Sequence, residues 1–362
     1  MKQQKTRNMR KTILLLVFPL LCSTLFGQQR EEAEKLVEEG IAYHDKGDYE
    51  GAIDKYDKAL KLDKDNLLAL AEKAMSLLSL QKYDETIDNC RKAIEKHEGE
   101  KDLKSVYVTY GNAFDGLKKT DKSLEIYDEG IKLFPDFYML HFNKGITLSS
   151  IKKYDEAIIC FQKSASLNPK HASSQNALGR ILNATEKRIP AVLAFSRFLI
   201  LEPQSKRAKD NLGLLQGTMK ANVEQTGKNT INITLNPAML GDTTADGKAK
   251  ENSFTSTDLI LSMDAALDCD KKNKKKTEVE QFIRKFETVC ASLKETQDKN
   301  YGFYWDYYVP YFVEMKDKNL IETFVYIAFA TSDFPDVDKW LKEHKKDIDN
   351  FYEWSSNFTW KN

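Results

Sequence analysis

Five histidines, His44, His97, His141, His171 and His344, stand far apart in this 362-residue chain. No HExxH places two imidazoles on one helix face, and neither a glycine-rich phosphate loop nor Gly-x-Ser-x-Gly occurs. Carboxylates are plentiful, but acid–base catalysis needs a paired set in a pocket, and the sequence marks none. No catalytic residue, metal ligand or cofactor is therefore expected. The five cysteines form no CxxC, so neither a dithiol redox site nor a zinc ribbon is indicated. Cys90, at a core position of its repeat, reads as a buried thiol. Cys269 and Cys290 either pair in an oxidising compartment or stay free. One run could do chemistry of another kind. Tyr301–Phe312, YGFYWDYYVPYF, holds eight aromatic residues in twelve. Such rings either form a platform for sugars or bases or supply the core of a small helical domain. A platform would make the chain a carbohydrate-binding protein or an enzyme with its site there. Core packing is the reading adopted, with some rings reaching a surface or another part of the chain.

The amino terminus is set apart from the fold. MKQQKTRNMRK is basic, and ILLLVFPLLCSTLF is apolar but shorter than the roughly 20 residues of a comfortable membrane span. With Leu25 and Gly27 before Gln28, residues 1–27 read as a secretory signal peptide, the alternative being an uncleaved anchor. The leader carries five of the 55 basic residues (Lys2, Lys5, Arg7, Arg10 and Lys11) and no acid. Fifty basic against 55 acidic residues leaves the rest near −5. That balance makes no electrostatic case for nucleic acid. An exported, periplasmic or cell-envelope protein is expected.

The elements that would position a binding site come from a repeat. In Tyr138–His171, small residues stand at Gly145, Ala157 and Ser164, and large apolar ones at Leu148, Tyr154, Ile158 and Phe161, with Pro169 near the end. Gly145 recurs as Gly111 and Gly179, Pro169 as Pro135 and Pro203, Phe161 as Tyr127 and Phe195. The period is 34 residues, and the stretch resembles a tetratricopeptide repeat, a pair of crossing helices. Five units follow: 33–66, 67–100, 104–137, 138–171 and 172–205, with a three-residue slip at Lys101–Leu103. Residues 206–220 read as a terminal capping helix. Phe198 stands where a small residue is wanted, so the fifth unit should end differently. The resemblance implies an all-α fold, a right-handed superhelical solenoid over 28–220. It is similar to envelope repeat proteins of the Bacteroidetes.

In this family, positions 2, 5, 9, 12 and 13 of each unit face a concave groove. Positions 5 and 9 read Val37 and Ile41, Ala71 and Met75, Val108 and Asn112, Phe142 and Ile146, then Asn176 and Arg180. With Asn143, these form a largely apolar groove that turns polar at Arg180. The resemblance also raises the carboxylate clamp, which grips acidic carboxy-terminal tails of heat-shock chaperones. Asn112 and Asn143 match its two asparagines, but Val108, Ser173 and Ala177 stand where three cations are needed. Without them a carboxylate has no counter-ion, and the clamp is rejected. The groove then holds a partner protein or peptide segment, is occupied by the chain's own 221–256, or simply packs within the stack.

Residues 221–256 lose the helical period and read as a linker with one short strand at Ile231–Leu235. Residues 257–362 read as a smaller helical carboxy-terminal domain. Helices are expected at Asp258–Leu267 with Thr257 as cap, at Thr277–Lys294, at Asn319–Thr331 and at Val337–Trp354. Lys271–Lys276 reads as a solvated basic turn, with contact to an anionic surface as the alternative.

Overall fold

The computed structural model describes residues 27–227, 230–234, 250–270 and 272–360. The leader therefore lies outside the described residues, apart from Gly27. The chain divides into two compact units, Met1–Thr147 and Leu148–Asn362. The division falls within a helix of the fourth repeat, rather than at the composition changes near 220 and 256.

The first unit begins with helix α1, which runs to residue 44. α2 (Tyr49–Leu62), α3 (Leu67–Ser79), α4 (Tyr83–Lys96), α5 (Leu103–Gly116), α6 (Thr120–Leu133) and α7 (Tyr138–Ser150) follow. Helices pair as the repeat requires. Asp48 and Asn66 cap α2 and α3 by accepting from the backbone N–H of Gly51 and Ala69, each at 2.9 Å. Between the helices of each unit the chain turns through a left-handed residue: Gly47, Gln81, Lys118, and in the second compact unit Lys152 and Glu186. Their spacings (81 − 47, 118 − 81, 152 − 118, 186 − 152) are 34, 37, 34 and 34, so the three-residue slip is real. Six residues join α4 to α5, against four between α2 and α3.

The pairs close because a small residue meets a ring sixteen positions later. A Cβ placed on Gly40 would lie 2.4 Å from the Tyr56 ring, and one on Gly111 2.3 Å from Tyr127. Both tyrosines are fully buried. In the second repeat the same crossing uses Ala74 and Cys90, a larger small residue against a smaller large one.

The second unit contains α8 (Tyr154–Leu167), α9 (Ala172–Ala184), α10 (Arg188–Leu201) and the capping helix α11 (Ala208–Lys220). Strands β1 (Val223–Gln225) and β2 (Ile231–Ile233) then form an antiparallel hairpin with Val223 opposite Ile233. The expected strand thus has a partner that the sequence did not signal. α12 (Thr255–Ala266), α13 (Glu278–Thr296), α14 (Phe303–Tyr307), α15 (Val309–Asp317), α16 (Ile321–Ala328), α17 (Pro335–Glu343) and α18 (Lys345–Asn357) complete it.

Three expectations are corrected. α12 starts at Thr255, and Thr257 does not cap it; its hydroxyl bonds Ser292 in the interior at 2.9 Å. The helix expected at Asn319–Thr331 is shorter at both ends. That expected at Val337–Trp354 breaks at His344, whose backbone N–H donates to the Trp340 carbonyl at 2.9 Å. Trp340 stacks on Tyr326 and on His344, each at 4.2 Å, which holds the break. Thr277 instead caps α13, in a reciprocal capping box with Glu280.

Helix α10 is buried on every side from Arg188 to Ile200. A helix apolar all round must lie inside a protein. Here α9, α11, α12 and α16 pack around it. Phe198 is accommodated because it meets these helices and the Arg207 guanidinium, 5.3 Å from its ring.

The crossings make a paired prediction. Gly111→Ala should destabilise by about 1–3 kcal/mol, because the buried Tyr127 ring must move. Gly213→Ala, with open space around its Cβ position, should stabilise by about 0.5–1 kcal/mol. Urea unfolding midpoints would check both, and equal shifts would refute the crossing argument.

Candidate functional site

In the first unit, the expected groove residues differ in what they offer a partner. Val37 and Val108 are buried within the stack. Ile41, Ala71, Asn112, Phe142 and Asn143 are half-buried. Met75 and Ile146 are exposed, at 36% and 41%. Asn112 accepts from the Tyr127 hydroxyl at 2.6 Å, and Asn143 donates to the Met139 carbonyl at 2.8 Å. Their amides are thus engaged by their own repeats. Arg180 belongs to the second unit, where it pairs with Asp210 and bonds Asn176.

The first unit also holds a cleft of about 810 Å³ beside Val37 and Ala71. Seven of its sixteen lining residues are acidic and two are Arg or Lys. Leu68 lies in it, 52% exposed. Glu72 also lines it; burial raises its carboxyl above the ordinary value, against the pull of His44. Leu68 occupies position 2 of its repeat, a groove position, so its register was the signal that could have found it. The acidic rim comes largely from turns and helix ends, which carry no periodic signal.

The second unit resolves the aromatic run. Tyr304, Trp305, Tyr307, Tyr308, Tyr311 and Phe312 are buried, while Tyr301 is 53% exposed. Trp305 stacks on Phe254 at 4.4 Å and donates Nε1–H to the Ser253 carbonyl at 2.9 Å. Tyr307 donates to the Ala165 carbonyl of α8 at 2.8 Å, and Tyr308 to Gln175 of α9. These rings are core, and their hydroxyls reach the repeat helices. Two arginines of α10 complete the joint. Arg188 donates to the carbonyls of Thr218 and Met219, to Asp258 and to Ser262 at 2.7–2.9 Å. Burial nonetheless pushes the Asp258 carboxyl up and the Arg188 guanidinium down. Arg197 lies against the rings of Tyr311 and Trp360, at 5.0 and 4.7 Å, and those two rings stack on each other at 4.9 Å. Both arginines fell inside a sequence stretch that reads only as packing.

No arrangement among the described residues resembles a catalytic set. No group of three His, Cys, Asp or Glu side chains could hold a metal ion there. Cys90, Cys160, Cys269 and Cys290 form no disulfide with a described residue, and burial pushes the Cys90 and Cys290 thiols up, away from reactivity. A cleft of about 490 Å³ in the second unit is lined by apolar residues such as Ile158, Ile159 and Phe254 together with four carboxylates (Asp155, Glu186, Glu251 and Asp258), Lys187 and Arg188, without histidine or cysteine. His141 is buried against the Pro135 carbonyl at 2.8 Å, as a packing residue.

Two predictions follow from this geometry. Trp305→Ala and Tyr308→Ala should each destabilise the second unit by about 3–5 kcal/mol, the cost of a deleted core aromatic. Denaturant titration would show it, and variants as stable as the parent would restore the platform reading. Burial, then Arg207, holds the His171 imidazole below its ordinary value of 6.5. Its contribution is complete above 6.5 and is lost as pH falls below that value, because the unfolded chain then binds the proton more readily. His171→Asn should flatten this part of the stability–pH curve, and an unchanged curve would exclude His171 as its source.

Comparison with known proteins agrees with the helix pairs. Residues 40–73 match a family model described as TPR repeat, and 140–171 one described as tetratricopeptide repeat. "Protein STIP1 homolog" of Dictyostelium discoideum is 35% identical over 104 residues, 28% of this chain and 18% of its own length. "Hsp70-Hsp90 organizing protein" of Triticum aestivum is 36% identical over 112 residues, 31% of this chain and 19% of its own. The match thus spans less than a fifth of either relative. Among solved structures, a thermophilic TPR protein of Thermus thermophilus is 15% identical, covering 52% of this chain and 98% of its own, at a TM-score of 0.44. PilW, a type IV pilus biogenesis factor, is 21% identical over 52% of this chain and 85% of its own, at 0.45. The chain carries tetratricopeptide repeats, followed by a smaller helical carboxy-terminal region.

Proposed function

We propose that this chain is a non-catalytic interaction module that binds a segment of a partner protein along the first-helix faces of its amino-terminal repeats. The observation that carries this reading is the exposure of Met75 and Ile146 on those faces. Half-buried Ile41, Ala71 and Phe142 flank them in the repeat register. Apolar side chains at groove positions gain by being covered. The acidic cleft with Leu68 adds a charge preference: the bound segment is apolar with cationic flanks. Relatives named as Hsp70-Hsp90 organizing proteins support a protein-binding role. The clamp cations are absent here, so a terminal carboxylate is not the recognised group.

Export accompanies this reading. The basic and apolar order of residues 1–27 supports it, with the periplasm or cell envelope as the proposed location. The groove's competing occupant is residues 221–256 of the same chain, of which 228–229 and 235–249 lie outside the described residues. The carbohydrate or enzyme reading loses its main support, since the rings it needs are buried.

Fluorescence polarisation against a peptide array would test the groove. Peptides pairing an apolar residue with Lys or Arg should bind, and acidic carboxy-terminal tails should not. Met75→Asp with Ile146→Asp should weaken capture by at least about tenfold, roughly 1.4 kcal/mol, without changing the thermal transition. Unchanged binding by that double variant would move the site elsewhere.

A further inference from the structure

Helix α12 carries apolar side chains toward water as well as toward the core. Leu261 and Ala265 are buried inward, and the polar residues beside them on that side are engaged. Asp258 and Ser262 bond Arg188 at 2.7 Å, Thr257 bonds Ser292 at 2.9 Å, and Asp264 accepts from Arg284 and Thr288 at 2.8 Å. The outward residues are Leu259, Ile260, Met263 and Leu267, exposed at 36–57%. Leu259, Met263 and Leu267 recur every four residues, so they form one stripe. The β1–β2 hairpin packs against the same helix and adds Ile231 and Ile233, each 37% exposed. Leu261 and Ala265 already supply the helix's share of the core, so this outward stripe is apolar surface beyond what the fold buries and marks a face that is covered by something else.

The charges beside the stripe indicate what covers it. Lys272, Lys274, Lys275 and Lys276 follow α12 directly and are exposed. The Lys274 ammonium donates to Gln225 of β1 at 3.2 Å, which sets the basic turn beside the hairpin. None of the four forms an ion pair with a described residue. Nearby carboxylates are committed elsewhere: Asp264 and Asp268 to Arg284 and Lys285, Glu280 to the α13 cap. Asp270, which accepts from the Lys272 backbone N–H, stands exposed among the lysines, and Glu224 of β1 is a second exposed carboxylate on the hairpin. The patch contains no Trp, Tyr or Arg, the residues that anchor protein interfaces. Aliphatic side chains edged by unpaired lysines are what an anionic lipid surface binds. The former enter the boundary between headgroups and acyl chains, and the latter meet the headgroup charge.

We infer that the exposed face of α12, the β1–β2 hairpin and the Lys272–Lys276 turn together dock the protein peripherally on an anionic membrane surface. This surface is independent of the repeat groove.

The test is flotation of the full chain with vesicles of phosphatidylcholine alone, and with vesicles in which phosphatidylglycerol replaces part of it. The parent chain should partition more strongly onto the anionic vesicles, and added salt should weaken this. Each lysine near such a surface contributes about fivefold. Lys274→Glu with Lys275→Glu should therefore lower the anionic partition by at least about 25-fold, with little change on neutral vesicles. Met263→Asp should lower both. All three positions are exposed, so the thermal transition should not move, and Met263→Ser serves as the milder substitution if it does. Variants that partition like the parent would overturn the inference, because the leader would then account for all binding. Unchanged partition with a lower sedimentation mass in Met263→Asp would assign the face to a second copy of the chain instead.

Discussion

The repeat helices depend on one close contact. A residue with no room for a larger side chain lies on the face of a ring sixteen positions further along, as Gly40 does on Tyr56, Gly111 on Tyr127 and Gly179 on Phe195. The contact sets how closely two helices cross, and the crossing fixes which residues face outward. Burial of each ring contributes roughly 1.5–3 kcal/mol, and it is the shape match that permits burial. Ala74 with Cys90 shows that the sum of the two sizes is held, rather than either residue.

In the second unit the same geometry serves another purpose. Phe195 packs on Gly179, but every other side of α10 is covered as well. Arg188 and Arg197 become the polar fasteners of that burial, Arg188 through carbonyls, Ser262 and Asp258, and Arg197 through the Tyr311 and Ser355 hydroxyls and the Pro169 carbonyl, with its Nε–H left unpartnered. Removing a partner from such a site leaves a charge without solvent, which is why buried arginines persist where their partners do. Supplying those partners also occupies much of the inward side of α12. Asp258, Ser262 and Asp264 meet Arg188 and Arg284 beside buried Leu261 and Ala265, and Leu259, Met263 and Leu267 remain outside.

The groove was legible only as a register. Positions 5 and 9 could be named from the period, yet the period does not say how deeply each side chain sinks. Val37 and Val108 sink into the stack, while Met75 and Ile146 remain accessible. The difference arises from the neighbouring helix, whose contribution varies with every substitution along it. The acidic cleft was less legible still, because turn residues from separate repeats converge there without any spacing to announce them. The aromatic run was legible in kind but not in place. Density marked it as core, whereas contact of Tyr307 and Tyr308 with α8 and α9 could not be read from order alone.

By itself the sequence determined the helix pairs, their period, the slip before α5, the capping helix and the absence of clamp cations. All of these follow from local spacing, since helix periodicity and turn residues act over a few positions of chain. Tertiary structure alone decided that α10 is enclosed by the carboxy-terminal helices and that Thr257 serves the interior rather than capping α12. Those outcomes depend on partners 30 to 160 residues away, such as Ser355 for Arg197 and Asp258 for Arg188. The hydrophobic effect that brings them together is non-directional and carries no spacing in the sequence.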